Sequence, residues 1–135
     1  MDRRGTLFLL RGVSGAGKTT LANTLSESLG DSIAFAADDF WGGEYDFEMS
    51  RLNEAHQWCQ GQAEKAMKYG MSNVIVHNTL ASSKELSPYL YLAEKHNYKV
   101  VSLIVENRHG NSSVHNVPKT ALDRQRNKLM NSIKL

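Results

Sequence analysis

The sequence predicts a three-layer α/β fold, a parallel sheet flanked by helices, and three observations carry that prediction. Runs of strand formers alternate with segments whose apolar residues recur at helical spacing, the order that builds a parallel sheet covered on both faces. The first run, Leu7-Phe8-Leu9-Leu10, leads directly into a glycine-rich turn, Gly12-Val13-Ser14-Gly15-Ala16-Gly17-Lys18-Thr19, that opens a helix. The 135 residues suffice for one hydrophobic core, so a single domain over 1–135 is expected.

Each element has its own warrant. The first strand covers about 5–11. The first helix repeats Leu21, Ala22, Leu25 and Leu29 on one stripe, with Gly30 as its stop and Asp31 opening the next turn. The second strand is 32–37, and the acidic, glycine-bearing stretch from Asp38 to about Ser50 is expected to be a loop. A second helix over about 50–69 carries Leu52, Ala55, Cys59, Ala63 and Ala66 on one stripe and stops at Gly70, with Trp58, Cys59 and Tyr69 expected to pack. The third strand is 73–78. The third helix spans about 83–96, with Ser82 or Ser83 as cap. The fourth strand, 99–105, is apolar enough to predict burial on both faces. A polar loop, 106–117, precedes a last helix that starts near Pro118.

The glycine-rich turn fits G-x-x-x-x-G-K-[ST], the P-loop. Glycines let successive backbone N–H groups turn inward around an anion, and the helix behind adds its positive end. Gly12, Ser14, Gly15, Ala16, Gly17, Lys18, Thr19 and Thr20 are therefore the expected triphosphate cradle. Lys18 reaches the β- and γ-phosphates, and the Thr19 hydroxyl ligates Mg²⁺. The fold class is accordingly that of P-loop nucleoside triphosphatases, with 106–117 as a short lid.

Composition narrows the setting. A hydrophobic content of 41% argues against disorder, and no apolar run approaches the roughly 20 residues of a membrane span. Cys59 is the single cysteine, which rules out an intramolecular disulfide and suits a reducing cytoplasm. Acidic residues gather between Asp38 and Glu54, whereas the last third is basic, as expected of a surface that covers a triphosphate, touches nucleic acid or is simply solvated.

Ligands of such sheets sit beyond the carboxyl ends of the strands, so each strand end is a candidate site. Asp38 and Asp39 follow the second strand: Asp38 is the candidate general base for an attacking hydroxyl, and Asp39 the metal-shell or structural acid. The third strand ends in His77-Asn78-Thr79 with no carboxylate, which argues against a water-splitting motor. His77 reads as a hydrogen-bonded strand-end histidine, while Asn78 and Thr79 are placed to orient substrate or a metal-bound water. Arg108 is the candidate lid arginine over the phosphates. Trp41, Tyr45 and Phe47 either stack on a base or plug the gap beside the second helix. Asp39-Phe40-Trp41-Gly42 matches the D-x-x-G of GTPases, but no N-K-x-D base-reading motif follows.

The combination of Leu9-Leu10-Arg11-Gly12 through Thr19, Ala37-Asp38-Asp39-Phe40, Glu54-Ala55-His56-Gln57-Trp58 and Ile75-Val76-His77-Asn78-Thr79 resembles the P-loop kinase family of NEDD4-binding protein 2-like proteins. That family is similar to the kinase domain of bacteriophage T4 polynucleotide kinase and is of AAA-type, ATP-binding character. The likeness extends to Val117-Pro118 and the last helix, and short phage or bacterial ATP-binding proteins share the lid Glu106-Asn107-Arg108-His109-Gly110. It implies a kinase that uses ATP with Mg²⁺ on a nucleic acid 5′-hydroxyl, in the cytoplasm (the host's, for a phage protein), with Lys18, Asp38 and Arg108 catalytic and Thr19 and Asp39 at the metal. Three features depart: the polynucleotide kinase has an arginine where this chain has Trp41 and an acid where it has Asn78, and its lid is longer, with two arginines of which only Arg108 has a counterpart here. The expected activity is thus phosphoryl transfer to a polynucleotide 5′-hydroxyl. A nucleotide or other small hydroxyl acceptor, and an ATP-binding regulatory protein with little turnover, are the alternatives.

Overall fold

The computed structural model describes residues 2–13, 15–41, 51–106 and 119–132. Four strands, β1 (Gly5–Arg11), β2 (Ser32–Phe35), β3 (Asn73–His77) and β4 (Tyr98–Ile104), form one parallel sheet in the order β2-β3-β1-β4. Helices α1 (Lys18–Ser28), α2 (Leu52–Tyr69) and α3 (Ser83–His96) cross between them, and α4 (Lys119–Asn131) comes last. The predicted three-layer α/β fold is the observed one.

Alternation along the strands sends side chains to two cores. Leu7, Leu9, Val74, Val76, Ile33 and Phe35 join Ala55, Cys59, Met67 and Tyr89 of α2 and α3 on one face. Phe8, Leu10, Ile75 and Ala34 meet Leu21, Ala22 and Leu25 of α1 on the other. The helix ends follow local chemistry. Ser82 caps α3 in a reciprocal box with Glu85, and Gly70 closes α2 in the left-handed region at φ 93°. Glu64 Oε2 ties α2 to α3, 3.1 Å from Lys95 Nζ and 2.8 Å from His96 Nε2, and these partners pull its carboxyl down to about 2.

Four expectations change. After α1 the left-handed residue is Asp31, φ 51°, not Gly30. Its carboxylate accepts from the N–H and hydroxyl of Ser72, each at 2.8 Å, which stabilises a conformation an aspartate adopts more readily than most residues. β2 stops at Phe35, and a 3₁₀ turn over Ala37–Trp41 replaces the start of the expected loop. β4 is an edge strand with Lys99 and Leu103 exposed, so its apolar sequence does not report burial on both faces. Tyr69 is 84% exposed because it lies on the last turn of α2, off the stripe of Ala55, Cys59, Ala63, Ala66 and Met67.

Candidate active site

The site lies at the carboxyl edge of the sheet, where the chain leaves β1, β2 and β3. Gly12 is pinned there by close packing: its N–H donates to the Thr79 carbonyl at 3.2 Å, and a Cβ would sit 2.6 Å from the Val105 carbonyl oxygen. Gly15 and Gly17 take φ 84° and 104°, a region that costs other residues energy, and Gly17 is the N-cap of α1. Lys18 and Thr19 are the first two residues of that helix, at its positive end.

Lys18 curls back over the loop and donates to the carbonyls of Gly12 at 2.6 Å and Val13 at 2.9 Å. Burial lowers its pKa to about 8, and the nearby Asp38 carboxylate opposes the shift. Thr19 is exposed, and its Oγ1 is 3.5 Å from His77 Nδ1. Burial also favours the neutral His77 ring, with Asp39 opposing and Lys18 assisting. Thr20 is exposed on the same turn, where its carbonyl accepts from Thr24. Ser14 and Arg108 lie outside the described residues, as do Tyr45, Phe47 and the lid beyond Glu106.

The two acids sit on the 3₁₀ turn, both exposed. Asp39 closes that turn: its Oδ2 accepts from the Ala36 N–H at 3.0 Å and its own N–H donates to the Ala36 carbonyl at 3.1 Å. Asp38 is thereby held on the exposed side of the turn, electrostatically coupled to Lys18 and His77. Trp41 packs edge-on against Phe40 at 5.2 Å between ring centres, and Phe40 reaches Trp58 at 6.2 Å. The Arg51 guanidinium lies over the Phe40 and Trp41 rings at 5.1 and 5.8 Å. These rings pack against the core, so of the three aromatics weighed above, Trp41, the one described, follows the plugging alternative.

Asn78 does not face the site. It is buried, and its carboxamide turns inward, accepting from the Ala37 N–H at 2.7 Å. Sequence reasoning also missed Arg11. Fully buried at the end of β1, it donates to the Leu80 carbonyl, to Ser102 Oγ, and to the carbonyl and Oγ of Ser132 just past α4. An arginine closing an otherwise apolar strand, one residue before the P-loop, was the available signal. With Leu129 and Leu122 of α4 packed on Val13, Ala16 and Ala81, the last helix backs the phosphate loop directly.

Residues 7–127 match the AAA domain family. The chain belongs to that family. Among AAA-domain relatives, human NEDD4-binding protein 2 is 40% identical over 97 residues, which is 70% of this chain but 6% of that protein. A chain of the Pnkp1/Rnl/Hen1 RNA repair complex superposes with a TM-score of 0.78 at 15% identity, over 98% of this chain and 46% of its own. The APS kinase CysC of Mycobacterium tuberculosis, in complex with AMPPNP and APS, superposes with a TM-score of 0.56 at 13% identity, over 98% and 75%. The AAA domain here thus shares the three-layer P-loop fold of these structures, and the predicted family likeness holds. No described helix is long and apolar enough to cross a membrane.

Proposed function

We propose that the chain transfers the γ-phosphoryl group of ATP to a hydroxyl acceptor, a polynucleotide 5′-hydroxyl before others. The observation that carries the reading is the placement of Asp38, an exposed carboxylate on a braced turn beside the P-loop lysine. Pnkp1 and APS kinase, named in the complexes of similar fold, support a phosphotransferase. The fold shared with a chain of an RNA repair complex favours the polynucleotide acceptor.

In this reading the N–H groups of the Gly12–Thr19 turn and the α1 terminus bind the phosphates. Lys18 exchanges its two carbonyl partners for phosphate oxygens. Asp38 accepts the proton of the attacking hydroxyl. Mg²⁺ fits the donor set: Thr19 offers an exposed hydroxyl at the loop, and Asp39 a carboxylate nearby for the outer shell. When bound, the ion supplies charge to the β- and γ-oxygens. Arg108 is assigned the covering cation.

The direct test is labelled-phosphate transfer from ATP to 5′-hydroxyl DNA, 5′-hydroxyl RNA and nucleosides. Asp38→Asn is expected to lower kcat by about 10²–10⁴-fold with ATP binding retained, and Lys18→Ala to abolish both. Transfer intact in Asp38→Asn would remove the base assignment. One observation favours a second reading, an ATP-binding regulatory protein with little turnover. Asn78 and Trp41 are uncharged, and with Asn78 buried and Trp41 packed in an aromatic cluster neither reaches out to an acceptor. ATP binding without transfer to any acceptor of that panel would establish it.

A further inference from the structure

Three elements converge on the backbone one residue before Asp38. The Ala37 N–H, first in the 3₁₀ turn, donates to Asn78 Oδ1 at 2.7 Å. The Asn78 amide nitrogen in turn lies 3.6 Å from Cys59 Sγ on α2 and 3.5 Å from Tyr89 Oη on α3. All three side chains are buried, and no side-chain nitrogen or oxygen buried among the described residues lacks a partner. A carboxamide is the side chain that suits this place. It offers an acceptor to the amide and donors to the thiol and phenol, and it stays neutral next to two exposed acids.

We propose that Asn78 is a positioning residue for phosphoryl transfer: anchored by Cys59 and Tyr89, it fixes the turn that sets Asp38 against the acceptor hydroxyl. The inference rests on the reading of Asp38 as base. Its physical basis is the steep dependence of transfer on placement, since a misplacement of about 1 Å costs on the order of 10²-fold. Asp39 braces the turn through Ala36 from within the same segment. Asn78 is the brace that reaches it from the core, and it ties the turn's position to the packing of α2 and α3. Burial raises the Cys59 thiol and the Tyr89 phenol, so both remain neutral partners across the working pH range.

The test uses the full chain, a 5′-hydroxyl oligonucleotide and ATP. Asn78→Ala is expected to lower kcat by about 10- to 100-fold while KM and Kd for ATP stay within about twofold. Tyr89→Phe keeps the carboxamide and is expected to move kcat the same way by a smaller factor, so the network is read even if Asn78→Ala does not fold. Because Asn78 acts through Asp38, adding Asn78→Ala to Asp38→Asn is expected to cause no further loss. Unchanged kcat in both single variants, or an equal loss in the Asp38→Asn background, would overturn the proposal. Amide hydrogen exchange separates the anchor from the chemistry: in Asn78→Ala or Tyr89→Phe, residues 37–41 should exchange faster while 18–28 do not. A wild-type chain without transfer would overturn the base reading and with it the catalytic role of the anchor. Unaltered exchange would overturn the anchor itself.

Discussion

Lys18 is the residue whose chemistry the sequence states most plainly and whose electrostatics it conceals. Position in G-x-x-x-x-G-K-[ST] predicts phosphate contact, but the burial that lowers its pKa to about 8 depends on how Val13 and the loop fold back around it. The sign follows from the cause. Desolvation favours the neutral amine, so the charge that attracts triphosphate is present below pH 8 and is lost above it. ATP affinity measured by calorimetry should therefore fall between pH 8 and 10 in the wild-type chain. It should stay flat over that range in Lys18→Arg, whose guanidinium keeps its proton. Asn78 shows the opposite limit of legibility. Its place at a strand end suggested a group facing substrate, yet a strand end is also where the core closes, and residue type alone does not choose between the two. Arg11 stood out by its place at the end of an apolar strand, but its role was not legible: its partners at Leu80, Ser102 and Ser132 are 69, 91 and 121 residues away.

Elements were legible where their cause is local. The start of α3 was read as a cap at Ser82 or Ser83, and the structure selects Ser82, in a reciprocal box with Glu85. Ser82→Ala should lower stability by about 0.5–2 kcal/mol, read as a lower denaturant midpoint at unchanged m-value, with ATP binding retained. The 3₁₀ turn of Ala37–Trp41 was not legible, although Asp39 helps to form it. Its second brace comes from Asn78, and consecutive acids after a strand read equally well as an open loop. β4 misled because a run of apolar residues encodes a strand without encoding its neighbours. Its place at the edge follows from the sheet order, with β1 on one side only.

At the scale of the whole molecule, the three-layer arrangement followed from alternation of strands and helices, and the rule that ligands gather beyond the carboxyl ends of parallel strands is what makes that edge the candidate site. The seat of α4 did not. Its sequence is short and basic, with few apolar residues to declare which surface it covers, and Leu129 is its one buried side chain among the described residues. Leu129→Ala should cost about 2–5 kcal/mol and weaken ATP binding together with stability, because Val13 and Ala16 lose their backing. Parallel thermal melts and nucleotide titrations would measure both. The bond between Arg11 and Ser132 also imposes an order in time. A ribosome moving at about 5–20 residues per second makes the phosphate loop roughly 6–24 seconds before the residue that fastens its cover. Through that interval the nascent chain carries the complete P-loop motif without the packing that holds it in shape, so the loop's final form waits on the arrival of Ser132, not on the appearance of the motif.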